Sequence, residues 1–277
     1  MTHVVVLTTG GTISTRDVDG SGARPVLRGQ DLLQQIPDLG AVAEVEVAEL
    51  AFVPGAFMTL ATMRQMSERA RQILSQPQVA GLVVTHGTDT LEESAYLLYL
   101  TVDTDKPVVF TGAMRNSSQI GFDGYRNLYD AIRVAASESA RGLGTLVVLN
   151  EEIHSARWVT KTNGQKEDTY ESPATGPVGV VYGDGPHVFM RPLPHPVLPP
   201  RLEPHPLRRR GRHAGAGAGG VRRRAHQPPT APRARSSPGR RDDDRGDDAL
   251  HHRQHVGYVR LRGRLPRPAA PRRDLCP

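Results

Sequence analysis

Four side chains combine reactivity with position: Thr12, Thr88, Asp89 and Lys161. Thr12 follows Gly10-Gly11, so its hydroxyl can stand clear of the backbone. A hydroxyl is a weak nucleophile until an adjacent base takes its proton. Thr88 offers a proton relay when backed by Lys161 of Val159-Thr160-Lys161-Thr162, since a lysine drawn out of water exchanges protons readily. Asp89, beside Thr88, carries the charge to hold a substrate ammonium. Backbone N–H groups at the glycine turns would supply an oxyanion hole, often the largest single contribution in acyl transfer. Taken singly, Lys161 also reads as a surface lysine and Thr12 as a turn residue.

These residues need elements to position them. Val83-Val84-Thr85-His86-Gly87-Thr88-Asp89-Thr90-Leu91-Glu92-Glu93 runs from an apolar strand through a glycine turn into a helix. Thr90-x-x-Glu93 reads as a capping box, with Thr90 the N-cap and Glu93 reaching back to its amide. Thr88 and Asp89 then lie just ahead of a helix N-terminus, where free N–H groups and the positive dipole end face a ligand. The pattern occurs twice more. Residues 3–8 lead into Thr9-Gly10-Gly11-Thr12, and residues 107–110 into Thr111-Gly112-Ala113-Met114. Three apolar strands that each end in hydroxyl plus glycine predict one crevice at the carboxyl edge of a parallel sheet.

Strand and helix signals alternate through the first two thirds of the chain, which predicts an α/β fold with a mostly parallel sheet flanked by helices. Helices are expected over residues 30–36, 59–76, 91–100 and 124–136, the last with Asp123 as N-cap. Leu60, Met63, Met66, Ala70, Ile73 and Leu74 recur at helical spacing, so the methionines read as core rather than as ligands. Further strands are expected over 44–50, 144–149 and 178–182. Residues 14–27 read as an irregular, mobile loop over the crevice.

The net charge of +6 averages two unlike pieces. Residues 1–190 carry 14 basic and 22 acidic side chains, a net of −8, whereas residues 191–277 carry 21 Arg, no Lys and 7 acids, a net of +14. Beyond residue 190 the chain is dominated by Arg, Pro, Gly, Ala and His, with too few large apolar side chains to offset the ordering entropy of a domain. Two domains of composition follow: 1–190, and a tail at 191–277 with no recognisable domain. All five dominant residue types have GC-rich codons, so a reading-frame shift near residues 191–205 is the first explanation and a disordered basic tail the second. Arg208-Arg209-Arg210 and Arg222-Arg223-Arg224 lack the aromatics and lysines of a nucleic-acid-binding segment, so nucleic acid is not the expected partner. Cys276 is the one cysteine, which excludes an intramolecular disulfide and fits a reducing compartment. No basic-then-apolar leader opens the chain, and no apolar run approaches the roughly 20 residues that span a bilayer. The expectation is a cytoplasmic protein with no membrane partner.

Thr8-Thr9-Gly10-Gly11-Thr12-Ile13, Thr85 through Glu93, Thr111-Gly112-Ala113-Met114-Arg115 and Val159-Thr160-Lys161-Thr162 together resemble, in order and separation, the four signature stretches of the bacterial-type L-asparaginase family. The resemblance covers roughly residues 1–190, the family's N-terminal domain. It implies hydrolysis of L-asparagine to L-aspartate and ammonia, with Thr12 attacking the side-chain amide to form an acyl-enzyme. Thr88, with Lys161 behind it, would activate the water or the nucleophile. Asp89 would bind the α-amino group, and Gly11, Gly55 and Ala113 would meet the substrate through their backbones. A small-molecule amide is the implied partner, no cofactor or metal is implied, and the family is homo-oligomeric.

Departures are equally plain. The family carries a lid tyrosine after its first strand, and Gly22-Ala23-Arg24-Pro25-Val26 has none. Where the family places a Ser-Gln or Ser-x pair on the substrate α-carboxylate, this chain has Gly55-Ala56, and a backbone amide would have to replace the serine. Nothing in residues 191–277 resembles the C-terminal domain that builds the family's dimer. The chain as written is therefore expected to be inactive or poorly soluble, and its oligomeric state is open. A glutaminase-asparaginase, the asparaginase-like subunit of an amidotransferase and a non-catalytic remnant that only binds remain alternatives. One methylene of substrate discrimination is worth only ~1–3 kcal/mol and is set by pocket shape. A nucleotide-binding reading of Gly10-Gly11 lacks the third glycine and the phosphate-binding lysine.

Overall fold

A computed structural model describes residues 1–20, 22–193 and 197–198, all within the unit Met1–Gly211. Residues 194–196 and 199–277 of the basic tail, with its arginine runs and Cys276, lie outside the described residues.

The chain opens with β1 (His3–Gly10), followed by a short antiparallel pair, β2 (Thr15–Arg16) and β3 (Arg24–Pro25), then α1 (Gly29–Gln34), α2 (Leu39–Val42) and β4 (Glu44–Val53). Next come α3 (Leu60–Leu74), β5 (Val79–Thr85), α4 (Leu91–Thr101), β6 (Val108–Thr111) and α5 (Gly124–Ala135). The described part closes with β7 (Thr145–Leu149), β8 (Glu152–Ser155), β9 (Thr160–Lys161), β10 (Tyr170–Glu171), β11 (Gly179–Tyr182) and β12 (Gly185–Val188).

Eight strands form one sheet in the order β12-β11-β8-β7-β6-β5-β1-β4. The run from β4 through β7 is parallel, and β8, β11 and β12 extend it antiparallel. Successive side chains of β1 point to opposite faces, as the strand's period of two requires. Val4 and Val6 join Leu32, Leu128 and Ile132 on one face, while Val5 and Leu7 join Met66, Ala70 and Leu98 on the other. Covered on both sides, β1, β5 and β6 need continuous apolar sequence, which is why they were legible. Among the described residues no helix is long and apolar enough to cross a membrane.

Local chemistry sets the helix limits. Thr59 caps α3 by accepting the Thr62 N–H at 3.2 Å. Met63 and Met66 are buried, but Leu60, at the first helical position, is 76 % exposed, so the apolar stripe starts one turn later than expected. The Thr90–Glu93 capping box does not form. Instead the Thr90 hydroxyl donates to the Gly55 carbonyl at 2.8 Å, tying the start of α4 to the turn after β4. Asp123 does not cap α5 with its side chain either; its carboxylate accepts the Met114 and Arg115 N–H groups at 2.9 and 3.0 Å and the Asn127 amide at 2.9 Å.

Residues 14–27, expected to be irregular, carry the β2–β3 pair. Ser117 and Ser118 hold that hairpin: the Ser117 N–H and hydroxyl both donate to the Thr15 carbonyl at 3.0 and 2.9 Å, and Asp17 N–H donates to Ser118 Oγ at 2.9 Å. Strand β8 was also unforeseen. It follows β7 through Asn150-Glu151, both at positive φ, a two-residue turn of the kind that suits hairpin twist. Asn127 Oδ1 accepts the Asn150 N–H at 3.0 Å and holds the turn.

Candidate active site

The turns after β1, β4 and β5 are packed backbone to backbone. A Cβ placed on Gly11 would lie 2.5 Å from Gly87 Cα, and one on Gly87 would lie 2.4 Å from Gly55 Cα. No side chain fits between these turns, and Gly11 also takes φ +83, a conformation that disfavours other residues. Thr12 and Thr88, each next in chain after a touching glycine, are thereby carried on adjoining turns. Replacing Gly11 with Ala combines strain with a backbone clash and is expected to cost about 3 kcal/mol. Urea midpoints check this against Gly40→Ala, where the added methyl meets nothing within 4 Å.

Thr12 begins a single 3-10 turn, Thr12–Ser14, and its carbonyl accepts the Thr15 hydroxyl at 2.8 Å. Its own side chain is half-buried, and among the described residues its hydroxyl has no hydrogen-bond partner. Ala113 is fully buried in the turn after β6. Its neighbour Gly112 packs against the strand-β5 turn, where an added Cβ would lie 2.7 Å from the His86 carbonyl.

Lys161 arrives from a separate element. It lies on β9, which among the described residues pairs only with β10, in register with Tyr170. Its ammonium donates to Thr88 Oγ1 at 2.9 Å and to Asp89 Oδ1 at 3.0 Å. Lys161 is 16 % exposed at its side chain and Asp89 is 63 % exposed, so the carboxylate opens toward solvent while the ammonium is drawn in. The structure therefore joins Thr88, Asp89 and Lys161 in one cluster, with Gly11, Thr12, Gly55 and Ala113 on the adjoining turns.

Two members of this neighbourhood escaped the sequence reading. Glu92, in the first turn of α4, accepts the Thr160 hydroxyl at 3.1 Å and the Lys161 N–H. The Tyr170 hydroxyl donates to the Thr88 carbonyl at 2.6 Å. Burial pushes the Tyr170 phenol up, reinforced by the carboxylates of Glu92, Asp89 and Glu93, so it remains a protonated donor. Among the described residues no group of three or more His, Cys, Asp or Glu side chains is placed to hold a metal ion.

Beneath the Gly87 turn, His86 is fully buried. Its Nδ1 donates to the Gly87 carbonyl at 2.8 Å, which leaves Nε2 to accept from the Ser94 hydroxyl at 2.9 Å. Burial pushes the imidazole down to about 4, against a weaker opposing effect of the Gly87 carbonyl. Between pH 6.5 and 4 the unfolded chain therefore binds a proton that the folded chain refuses. Stability contributed by neutral His86 is full above pH 6.5 and falls by up to about 3 kcal/mol as the pH drops to 4. In His86→Gln, urea midpoints measured across that window should fall less steeply.

Fold and cluster define a class: an α/β protein with a hydroxyl–ammonium–carboxylate site on the glycine turns at the carboxyl edge of a parallel sheet. Comparison with known proteins supplies the family. A family model described as asparaginase, N-terminal, matches residues 3–194. L-asparaginase 2 of Bacillus subtilis strain 168 is 41 % identical over 186 residues, covering 66 % of this chain and 50 % of that protein. Glutaminase-asparaginase of Pseudomonas fluorescens biotype A is 36 % identical, covering 65 % and 51 %. The crystal structure of a probable cytoplasmic L-asparaginase from Campylobacter jejuni superposes with a TM-score of 0.65 at 30 % identity, over 70 % of this chain and 59 % of that one. The chain belongs to the asparaginase family, and it spans about half the length of the curated relatives it matches.

Proposed function

We propose that residues 1–190 carry the nucleophile half of an L-asparaginase-type amidohydrolase site. The observation that carries this reading is the Lys161 ammonium held 2.9 Å from Thr88 Oγ1 and 3.0 Å from Asp89 Oδ1, on a turn whose Gly87 packs against the backbone of Gly11, the residue before Thr12. Thr12 Oγ attacks the side-chain amide carbon of asparagine, and its proton passes to the departing nitrogen, which leaves as ammonia. Water then attacks the resulting ester, releasing L-aspartate and restoring the Thr12 hydroxyl. Because Lys161 donates into the Thr88 oxygen, the Thr88 proton is free to point into the crevice and orient the attacking water. Asp89 holds the substrate α-ammonium, and the backbones of Gly11, Gly55 and Ala113 line the substrate, with turn N–H groups meeting the oxyanion.

Glutamine is proposed as a second substrate, since relatives of similar identity are named for either amide. A cytoplasmic, homo-oligomeric enzyme is the corresponding whole-protein reading. A second reading, a non-catalytic remnant that binds the amino acid, is favoured by the compositional break at residue 191. Resequencing the gene across the codons for residues 185–210 and assaying ammonia release from both reading frames separates the two. The enzyme reading expects the frame-corrected protein to hydrolyse asparagine and the 277-residue chain to be inactive. A confirmed frame, with a soluble chain that binds asparagine and releases no ammonia, overturns it in favour of the remnant.

A further inference from the structure

Lys161 sits on an element too small to hold itself in place. Strands β9 and β10 have two residues each and pair only with each other, and an isolated two-stranded hairpin is at best marginally stable in water. Yet the ammonium must be held to within a fraction of an ångström of Thr88 if it is to polarise that hydroxyl. The Thr162 N–H on the Thr169 carbonyl at 2.7 Å and the His154–Ser172 bond at 3.0 Å steady the hairpin's two ends, but only two side chains outside the cluster tie it to Thr88 and to α4. Glu92 grips the β9 end of the hairpin with both carboxylate oxygens, one on the Thr160 hydroxyl and one on the Lys161 N–H. Tyr170 grips the β10 end: its ring is buried in the core that also contains Leu91 and Val159, and its hydroxyl reaches the Thr88 carbonyl at 2.6 Å.

The bonds form a closed ring. Lys161 bonds the Thr88 side chain, Lys161 pairs with Tyr170 across the hairpin, and Tyr170 bonds the Thr88 backbone. Glu92 ties the same hairpin to the helix that begins directly after Thr88, Asp89 and Thr90. We propose that Glu92 and Tyr170 are positioning residues that together fix the Lys161 ammonium on Thr88. This rests on the amidohydrolase reading for its purpose, but not for its test.

The chain contains three lysines, Lys106, Lys161 and Lys166, which makes site-specific reductive methylation readable by peptide mass spectrometry. Lys166 is exposed and serves as the reference, while Lys106, whose ammonium donates to the Leu74 and Gln76 carbonyls at 2.8 Å, reports on the global fold. Titratable neighbours of the hairpin are Asp89, Glu92 and Glu93 from the α4 side, His154 from β8, and Tyr170 and Glu171 on the hairpin itself. In the 277-residue chain, Lys161 is expected to react at least about tenfold more slowly than Lys166. Tyr170→Phe, which keeps the buried ring, and Glu92→Gln, which keeps the volume, should each speed Lys161 at least about fivefold and move its rate–pH profile, with the Lys106 to Lys166 ratio unchanged. An unchanged Lys161 rate and profile in both variants overturns the proposal. So does acceleration of Lys106 in parallel, which would mean a merely structural role. Restrained Lys161 without ammonia release in either frame would remove the functional reading and leave the brace; release with unrestrained Lys161 would do the reverse.

Discussion

Thr12→Ala is expected to lower kcat for asparagine hydrolysis by the frame-corrected protein on the order of 10⁴-fold. On the proposed reading the loss should fall on kcat rather than on KM, because there the Thr12 hydroxyl forms the bond while Asp89 and the turn backbones hold the substrate. Stability should barely change. The Thr12 hydroxyl has no partner among the described residues, and the turn is set by Gly11 and by the Thr15 hydroxyl on the Thr12 carbonyl. Thr12→Ser should keep much of the rate, since it keeps the attacking oxygen. Ammonia release measured alongside urea midpoints checks both halves; Thr12→Ala activity within tenfold of the parent would remove Thr12 as nucleophile.

Lys161→Met should lower kcat by about 10³-fold, the upper end of the range for loss of one preorganised hydrogen-bond donor. Methionine keeps the length and apolar stem of the side chain, so packing on the hairpin is retained while the bonds to Thr88 Oγ1 and Asp89 Oδ1 disappear. The thermal midpoint should move little, because the Asp89 carboxylate of the ion pair is 63 % exposed and water takes over its solvation. A second consequence separates the two variants. Lys161→Met leaves Thr12 in place, so acylation persists while water activation at Thr88 fails, and a covalent intermediate should accumulate. A variant that loses activity without that accumulation would place Lys161 in the first step alone.

The three strand–glycine–hydroxyl units were legible because each is a local pattern: a buried strand is apolar throughout, and glycine marks where backbones touch. Their juxtaposition followed from the parallel order of β1, β5 and β6. What escaped was non-local. Thr90 looked like a cap because its sequence neighbours fit a capping box, yet its hydroxyl finds an acceptor in Gly55, 35 residues away. Tyr170 meets Thr88 across 82 residues, and no periodicity announces a two-residue strand. Glu92 sat inside the recognised motif, but the capping reading drew attention to Glu93 instead. Strand β8 was hidden by its turn, since Asn150-Glu151 lacks the glycine that ordinarily signals a two-residue hairpin.

The most direct test of the central claim is to quench the frame-corrected Lys161→Met protein with acid during turnover of asparagine and map any ester by peptide mass spectrometry. An aspartyl ester confined to the peptide containing Thr12, and absent from the Thr12→Ala, Lys161→Met double variant, is the predicted result. An ester on Thr88, or one that persists in the double variant, would contradict it.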